Sequence, residues 1–165
     1  MKPEFQIMKL KPKILFSFLI FIPVLFSYSC NRDKNDVIPD RYVDFYINLS
    51  DPLFFDLNAV GSFAYVSYQT NNLGSVAAGY DSNGIIIYRA TLDQFYAYDR
   101  TCPHDFVAEG ISVKVNADGN FAVCPRCGSA YALPATGTPY SGISRYPLKN
   151  YRTSFNGSVV HVWNH

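Results

Sequence analysis

Three cysteines and one histidine form two short clusters, and no other feature of this sequence constrains the fold as strongly. The first cluster is Cys102-Pro103-His104 and the second is Cys124-Pro125-Arg126-Cys127. Each follows a segment typical of a strand and lies in a segment typical of a turn. Two loops at one end of a sheet can present their side chains to each other, so the clusters predict one shared metal site.

The spacing of the first cluster bears on the kind of metal. Two to four residues usually separate neighbouring ligands of one tetrahedral zinc ion, whereas one residue separates Cys102 from His104. If this segment is extended, the two side chains point the same way from Cα atoms about 6 to 7 Å apart. That arrangement favours a centre with two metal ions.

The remainder of the chain is typical of an all-β domain. Residues 43–49 alternate, and the apolar ones would share one face of a strand: Val43, Phe45, Ile47 and Leu49. Turn residues at 81–84, 118–120 and 156–157 lie next to apolar segments and predict antiparallel hairpins. The 13 Tyr and 13 Phe suit pleated, partly buried surfaces. No segment beyond residue 30 shows the apolar spacing of three helical turns.

The two clusters and the residues after them resemble the Rieske family of iron-sulfur proteins. The resemblance covers roughly residues 88–163 and rests on six positions: Cys102, His104, Cys124, Gly128, Ser129 and Tyr131. It implies a Rieske-like antiparallel β sandwich or barrel over residues 42–165. A small cluster-binding subdomain of two loops would occupy about residues 95–145.

Carried over to this sequence, the resemblance implies a two-iron, two-sulfur (2Fe-2S) cluster. Cys102 and Cys124 would bind one iron, and His104 and Cys127 the other. Cys127 stands where the family has histidine. Its thiolate adds negative charge, so we expect a reduction potential below that of ordinary Rieske centres.

The resemblance also implies roles for two hydroxyl groups. Ser129 would donate a hydrogen bond to a bridging sulfide and Tyr131 to a cysteine sulfur, and both bonds would favour the reduced state. The cysteine pair that forms a disulfide in many members would fall at Val107 and Arg126, so it is absent here.

The main alternative is a single zinc ion held by the same three cysteines and His104, in a binding or structural module. An export signal supports it, because the general route passes unfolded chains whereas clusters are usually assembled in the cytoplasm. The route for folded proteins needs paired arginines, and no such pair precedes Ile14. A disulfide among the three cysteines would leave one unpaired. A thioredoxin-like site needs a helix after Cys127, which Gly128 does not favour.

The N-terminus has the anatomy of a bacterial signal peptide. Lysines precede an apolar run at residues 14–26, which Pro23 interrupts and which is shorter than the roughly 20 residues of a spanning helix. We therefore predict a signal peptide at residues 1–29, with a permanent transmembrane anchor as the alternative. Cys30 stands where a lipoprotein signal places its acylated cysteine, and the alternative is ordinary cleavage leaving a free thiol.

These features predict a lipid-anchored protein of the bacterial cell envelope, periplasmic or surface-facing, with a flexible tether at residues 30–41. The balance of 14 Lys and Arg against 13 Asp and Glu, without a basic cluster, argues against nucleic acid as a partner. Only His161 and His165 remain for a second iron site, so we do not expect a complete oxygenase. The sequence predicts an electron carrier, or an accessory redox subunit with an unidentified redox partner.

Overall fold

The structure is a computed structural model and describes residues 37–165. These residues form ten strands: β1 (Asp44–Asn48), β2 (Phe63–Val66), β3 (Ile85–Arg89), β4 (Phe95–Asp99), β5 (Asn116–Asp118), β6 (Phe121–Val123), β7 (Ala130–Ala132), β8 (Thr138–Ser141), β9 (Asn150–Phe155) and β10 (Val159–Trp163). One α-helix, α1 (Pro103–Glu109), follows β4. Short 3-10 turns cover Pro52–Asn58, Thr70–Asn72, Gly74–Ala77, Tyr80–Ser82 and Leu133–Ala135. The predicted all-β class is confirmed.

Six strands form the larger sheet in the order β1-β10-β9-β4-β3-β2, with every neighbouring pair antiparallel. The alternation predicted around β1 is observed, since the four apolar side chains are all buried: Val43, Phe45, Ile47 and Leu49. The predicted turn at Asn156 joins β9 to β10, and its side-chain oxygen accepts hydrogen bonds from the backbone of Ser158 and Val159. Period-two burial and local turn chemistry thus fix this sheet.

The smaller sheet has the order β5-β6-β7-β8 and lies against the other face of β3 and β4. All five residues of β3 are buried, because Ile85 and Ile87 join the core on one face while Ile86 joins the core on the other. The second core includes Cys102, Cys124 and the side chains around them. This two-sheet arrangement, with a small subdomain beside a larger sheet, confirms the predicted Rieske-like fold class.

Packing begins earlier in the chain than the predicted tether boundary suggests. Ile38 is 1% exposed, and the Lys149 ammonium donates to its carbonyl at 2.9 Å. The same ammonium lies 2.7 Å from an Asp40 carboxylate oxygen. Part of the segment predicted as a tether therefore packs on the domain, because one buried side chain and a distant lysine hold it. The predicted signal peptide and Cys30 lie outside the described residues.

Candidate metal centre

The first cysteine cluster lies where β4 gives way to α1. Cys102 has extended backbone angles, α1 begins at the next residue with Pro103 in its first turn, and Gly110, in the left-handed conformation, follows its last residue. Proline at the start and glycine just after the end are the residues that such helix ends favour. The Cys102 amide donates to the Val113 carbonyl at 2.8 Å, which holds the loop against the rest of the domain. The extended loop assumed for residues 102–104 is therefore a helix start.

This helix changes which side chain faces the cysteines. Successive residues of a helix turn by about 100°, so positions two apart point to opposite sides and positions three apart share a face. Asp105, three residues after Cys102, is 2% exposed and accepts a hydrogen bond from the Cys124 thiol at 2.9 Å. His104 is half-buried and is not among the side chains that meet at this point.

Four donor atoms converge between the two loops. The ligand atoms of Cys102, Asp105, Cys124 and Cys127 all lie within 4.8 Å of one another. The structure thus brings together three of the four predicted ligands, with Asp105 in the position that we had assigned to His104. The ligand role of His104 stays a prediction. Asp105 was not predicted as a ligand, although it lies three residues after Cys102, as Cys127 does after Cys124.

The second cluster forms a tight turn between β6 and β7. The Gly128 amide donates to the Cys124 carbonyl at 3.1 Å, and the Cys124 amide donates to the Ser129 carbonyl at 2.9 Å. Gly128 has φ +71°, a conformation that favours glycine. The turn brings the Cys127 sulfur to 3.6 Å from that of Cys102. Within the described part of the chain, the cysteines are free thiols.

Two hydroxyl groups lie beside the cysteine sulfurs. The buried Tyr131 hydroxyl is 3.3 Å from the Cys102 sulfur, and the Ser129 hydroxyl is 3.3 Å from the Cys127 sulfur. Ser129 Oγ also accepts hydrogen bonds from the amides of residues 143 and 144, at 3.2 and 3.0 Å. A hydroxyl has two lone pairs and one proton, so the remaining capacity of Ser129 is to donate. That proton suits an anionic sulfur at Cys127.

Burial keeps Cys102 and Cys124 protonated when no cation is near. It raises the pKa of the Cys102 thiol to about 11, with the Tyr131 hydroxyl among the groups acting in the opposite direction. The pKa of Cys124 is also raised, by burial first and then by the Asp105 side chain. Metal binding requires deprotonated thiols, and a bound cation supplies the charge that makes deprotonation favourable.

The chemistry of this donor set fits a metal centre. Thiolates are soft ligands that select iron-sulfur clusters and zinc, and a carboxylate is an established ligand of zinc and of non-haem iron. Three thiols and one carboxyl from two facing loops supply the four protein ligands that both kinds of centre use. The residues present therefore fit a thiolate-rich centre, of iron and sulfide or of zinc.

The segment after β8 covers Ser129. Gly142 has φ +92°, and a Cβ atom there would lie 2.5 Å from the Ser129 Cα and 2.8 Å from its Oγ. Real Cβ atoms do not approach so closely, so only glycine allows this contact. The glycine places the two amides that bond to the Ser129 hydroxyl.

We expect Gly142→Ala to lower the free energy of unfolding by about 1–3 kcal/mol or more, because backbone strain and the contact with Ser129 act together. Gly157→Ala is the matched control, since Gly157 has φ +100° but nothing within 4 Å of its added Cβ. Chemical denaturation of both variants measures the difference. Equal losses would show that the contact with Ser129 contributes nothing.

An ion pair spans the two loops on the surface. Arg126 lies 2.6 Å from Glu109 at the end of α1, and both side chains are 51% exposed. Arg126 is one of the two positions at which the resemblance would place the missing disulfide. An exposed pair contributes only about 0–1 kcal/mol, so the loops depend on packing and on any bound metal.

No family model and no curated protein matches the chain. Solved structures similar to it include a complex of reduced oxygenase and oxidized ferredoxin in carbazole 1,9a-dioxygenase, with 22% sequence identity and a TM-score of 0.47. The match covers 76% of this chain and 96% of the matched chain. A ferredoxin of Sphingomonas yanoikuyae B1 has 16% identity, coverage of 67% and 94%, and a TM-score of 0.42. The ferredoxin of carbazole 1,9a-dioxygenase from Nocardioides aromaticivorans IC177 has 14% identity, coverage of 76% and 100%, and a TM-score of 0.42. These similarities concern the fold alone.

Proposed function

We propose that this protein binds a 2Fe-2S cluster between its two cysteine loops and carries electrons to or from a redox partner protein at the bacterial cell envelope. The observation that carries the proposal is the pair of hydroxyl groups beside the cysteine sulfurs, from Tyr131 and Ser129. When bound, such a cluster exchanges one electron at a time. Hydroxyl donors at sulfur stabilise the more negative, reduced form.

The surroundings of the site support a carrier over a complete enzyme. The cysteine centre lies near the surface, with Cys102 and Cys124 buried and Cys127 half-buried, so a partner protein can approach it. The remaining histidines have partners elsewhere: His161 lies 2.7 Å from an Asp44 oxygen, and His165 stacks on the Tyr42 ring.

A zinc centre with a structural role is the second candidate, and one observation favours it. All four donor atoms lie within 4.8 Å of one another, which suits a single tetrahedral ion, whereas two irons share their protein ligands between two positions. In that case the metal would stabilise the smaller sheet and its loops.

Metal analysis of the protein purified without oxygen separates these functions. Two irons and two sulfides per chain, with visible absorption that bleaches on reduction, would support electron transfer. One zinc per chain without colour, in protein that iron and sulfide cannot reconstitute, would refute electron transfer and support the structural role.

We expect Tyr131→Phe to keep the cluster and to lower its reduction potential by tens of millivolts, because the sulfur loses a donor that favours the reduced state. A tenfold change in a one-electron equilibrium corresponds to about 59 mV. Tyr98→Phe is the matched control, since Tyr98 is equally buried but its hydroxyl donates to the Leu133 carbonyl. Voltammetry of the three proteins decides the matter, and equal potentials for wild type and Tyr131→Phe would contradict the role of the hydroxyl.

The envelope location and the lipid at Cys30 rest on the sequence and are part of this proposal. No helix within residues 37–165 is long and apolar enough to span a membrane. The first buried residue described, Ile38, lies eight residues beyond Cys30. A chain of that length reaches at most about 30 Å, so a lipid at Cys30 would hold the domain close to the membrane surface.

We expect mass spectrometry of protein extracted from membranes to show a diacylglyceryl group on an N-terminal Cys30. Cys30→Ala should release the protein from the membrane fraction while its metal content stays unchanged. A mature N-terminus elsewhere, without lipid, would contradict this part of the proposal.

A further inference from the structure

We propose that the fourth protein ligand of the centre is the Asp105 carboxylate and not the His104 imidazole. The inference rests on the proposed metal centre and holds for either metal. It replaces the Cys-x-His pair expected from the sequence with a Cys-x-x-Asp pair, so that both loops supply ligands with the same spacing.

The geometry of α1 directs Asp105 toward the cysteines. With Cys102 at the residue before the helix, the side chain that shares its face lies three positions later, at Asp105. The Asp105 carboxylate lies within 4.8 Å of all three cysteine sulfurs. His104 lies about 100° from Asp105 around the helix axis, and turning its side chain toward the cysteines would require the first turn of α1 to unwind.

The burial of Asp105 also favours a role as a metal ligand. Asp105 is 2% exposed, and its carboxylate accepts a hydrogen bond from the Cys124 thiol, with the sulfur and oxygen 2.9 Å apart. A carboxylate rarely lies fully buried unless it is paired or binds a metal. The Cys124 sulfur is itself a proposed ligand, so a metal between the two loops can contact both groups.

The sequence also favours Asp105 as the fourth ligand. The two loops read Cys102-Pro103-His104-Asp105 and Cys124-Pro125-Arg126-Cys127. In both loops, proline follows the first cysteine, and the second proposed ligand, Asp105 or Cys127, comes three positions after that cysteine. Neighbouring ligands of one tetrahedral ion usually have this spacing, so the objection to a single ion raised by Cys-x-His does not apply to Cys-x-x-Asp.

The charge of the centre follows from the assignment. Three thiolates and a carboxylate give the protein ligands a charge of −4, whereas three thiolates and a neutral imidazole give −3. With a +2 cluster core, the oxidised centre would have charge −2 instead of −1. The extra negative charge further disfavours adding an electron, so the potential would lie lower than histidine ligation implies.

The test compares Asp105→Ala, Asp105→Cys and His104→Ala in the full-length protein, with iron, sulfide and zinc content as the first measurement. Replacing a residue that only orients a ligand lowers metal affinity by about 10–100-fold. We expect Asp105→Ala, which removes a ligand, to lower it by more than that. Asp105→Cys should bind metal fully, because a fourth thiolate replaces the carboxylate. His104→Ala should match wild type. Rescue by cysteine separates a ligand from a merely structural carboxylate.

Spectroscopy of the wild-type protein gives the second readout. If iron is bound, the reduced centre should show no strong hyperfine coupling to a histidine nitrogen in electron-nuclear double resonance. If zinc is bound, X-ray absorption should fit three sulfur ligands and one oxygen. A strong nitrogen coupling, or metal loss in His104→Ala while Asp105→Ala keeps its metal, would overturn the assignment but leave the proposed metal centre intact. Wild-type protein that binds neither metal after reconstitution would overturn both.

Discussion

Replacing Cys124 with alanine should abolish metal binding and should also destabilise the protein in the absence of metal. Cys124 is 1% exposed, and its thiol donates a hydrogen bond to the buried Asp105 carboxylate. Losing a donor to a buried polar group costs about 1–3 kcal/mol. If free metal is 1,000-fold above its dissociation constant, losing the bound metal lowers the free energy of unfolding by a further 4 kcal/mol or so.

Cys127→Ala is the matched control. Cys127 is only half-buried, and its sulfur lies 3.3 Å from a Ser129 hydroxyl that already accepts two amide hydrogen bonds. It should therefore lose metal as Cys124→Ala does, yet unfold like wild type once a chelator is present. Denaturant titrations with and without chelator measure both contributions to stability, that of the thiol hydrogen bond and that of the bound metal. If either variant keeps wild-type metal content and spectrum, that cysteine is not a ligand.

The larger sheet could be predicted because its determinants are local. A half-buried strand alternates with period two, as residues 43–49 do, and Asn156 followed by Gly157 favours a tight hairpin. The meeting of Cys102 with Cys124 and Cys127 could also be predicted, since each cluster follows a segment typical of a strand. The start of the packed domain at Ile38 could not be predicted, because a single buried side chain and a distant lysine leave no pattern in the sequence.

The helix α1 was missed because its seven residues are too short to show apolar periodicity. Such a helix depends on its ends and on tertiary packing. Pro103 in its first turn and Gly110 just after its end are the local signals that could have revealed it. Missing the helix put Cys102 and His104 on one face of an extended segment. The choice of the fourth ligand thus depended on the local conformation of four residues.

Asp99 should prove one of the most important residues for stability, although it is not a proposed ligand. It is fully buried at the end of β4, and its carboxylate accepts three hydrogen bonds. The donors are the backbone amides of Thr101 and Tyr80, at 2.8 and 2.6 Å, and the Tyr151 hydroxyl, at 2.7 Å. These bonds fix the segment that leads from β4 into Cys102.

We expect Asp99→Ala to lower the free energy of unfolding by about 3–5 kcal/mol, because two buried donors and one half-buried donor lose their acceptor at once. Tyr151→Phe removes one of these donors without leaving a large cavity, so it should cost only about 1 kcal/mol. Denaturant unfolding of the two variants with chelator present gives both values free of any metal contribution.

Asp99→Ala should also weaken metal binding, since the amide of Thr101, the residue before Cys102, would lose its hydrogen-bond acceptor. The first cysteine loop would then have to be ordered when metal binds, and that ordering costs free energy. Competition with a chelator of known affinity should therefore show weaker binding by Asp99→Ala than by wild type, and little change for Tyr151→Phe. An Asp99→Ala protein that unfolds like Tyr151→Phe and binds metal like wild type would show that the buried carboxylate is dispensable. The loop would then be held by the Cys102 amide bond to Val113 and by the packing of α1 alone.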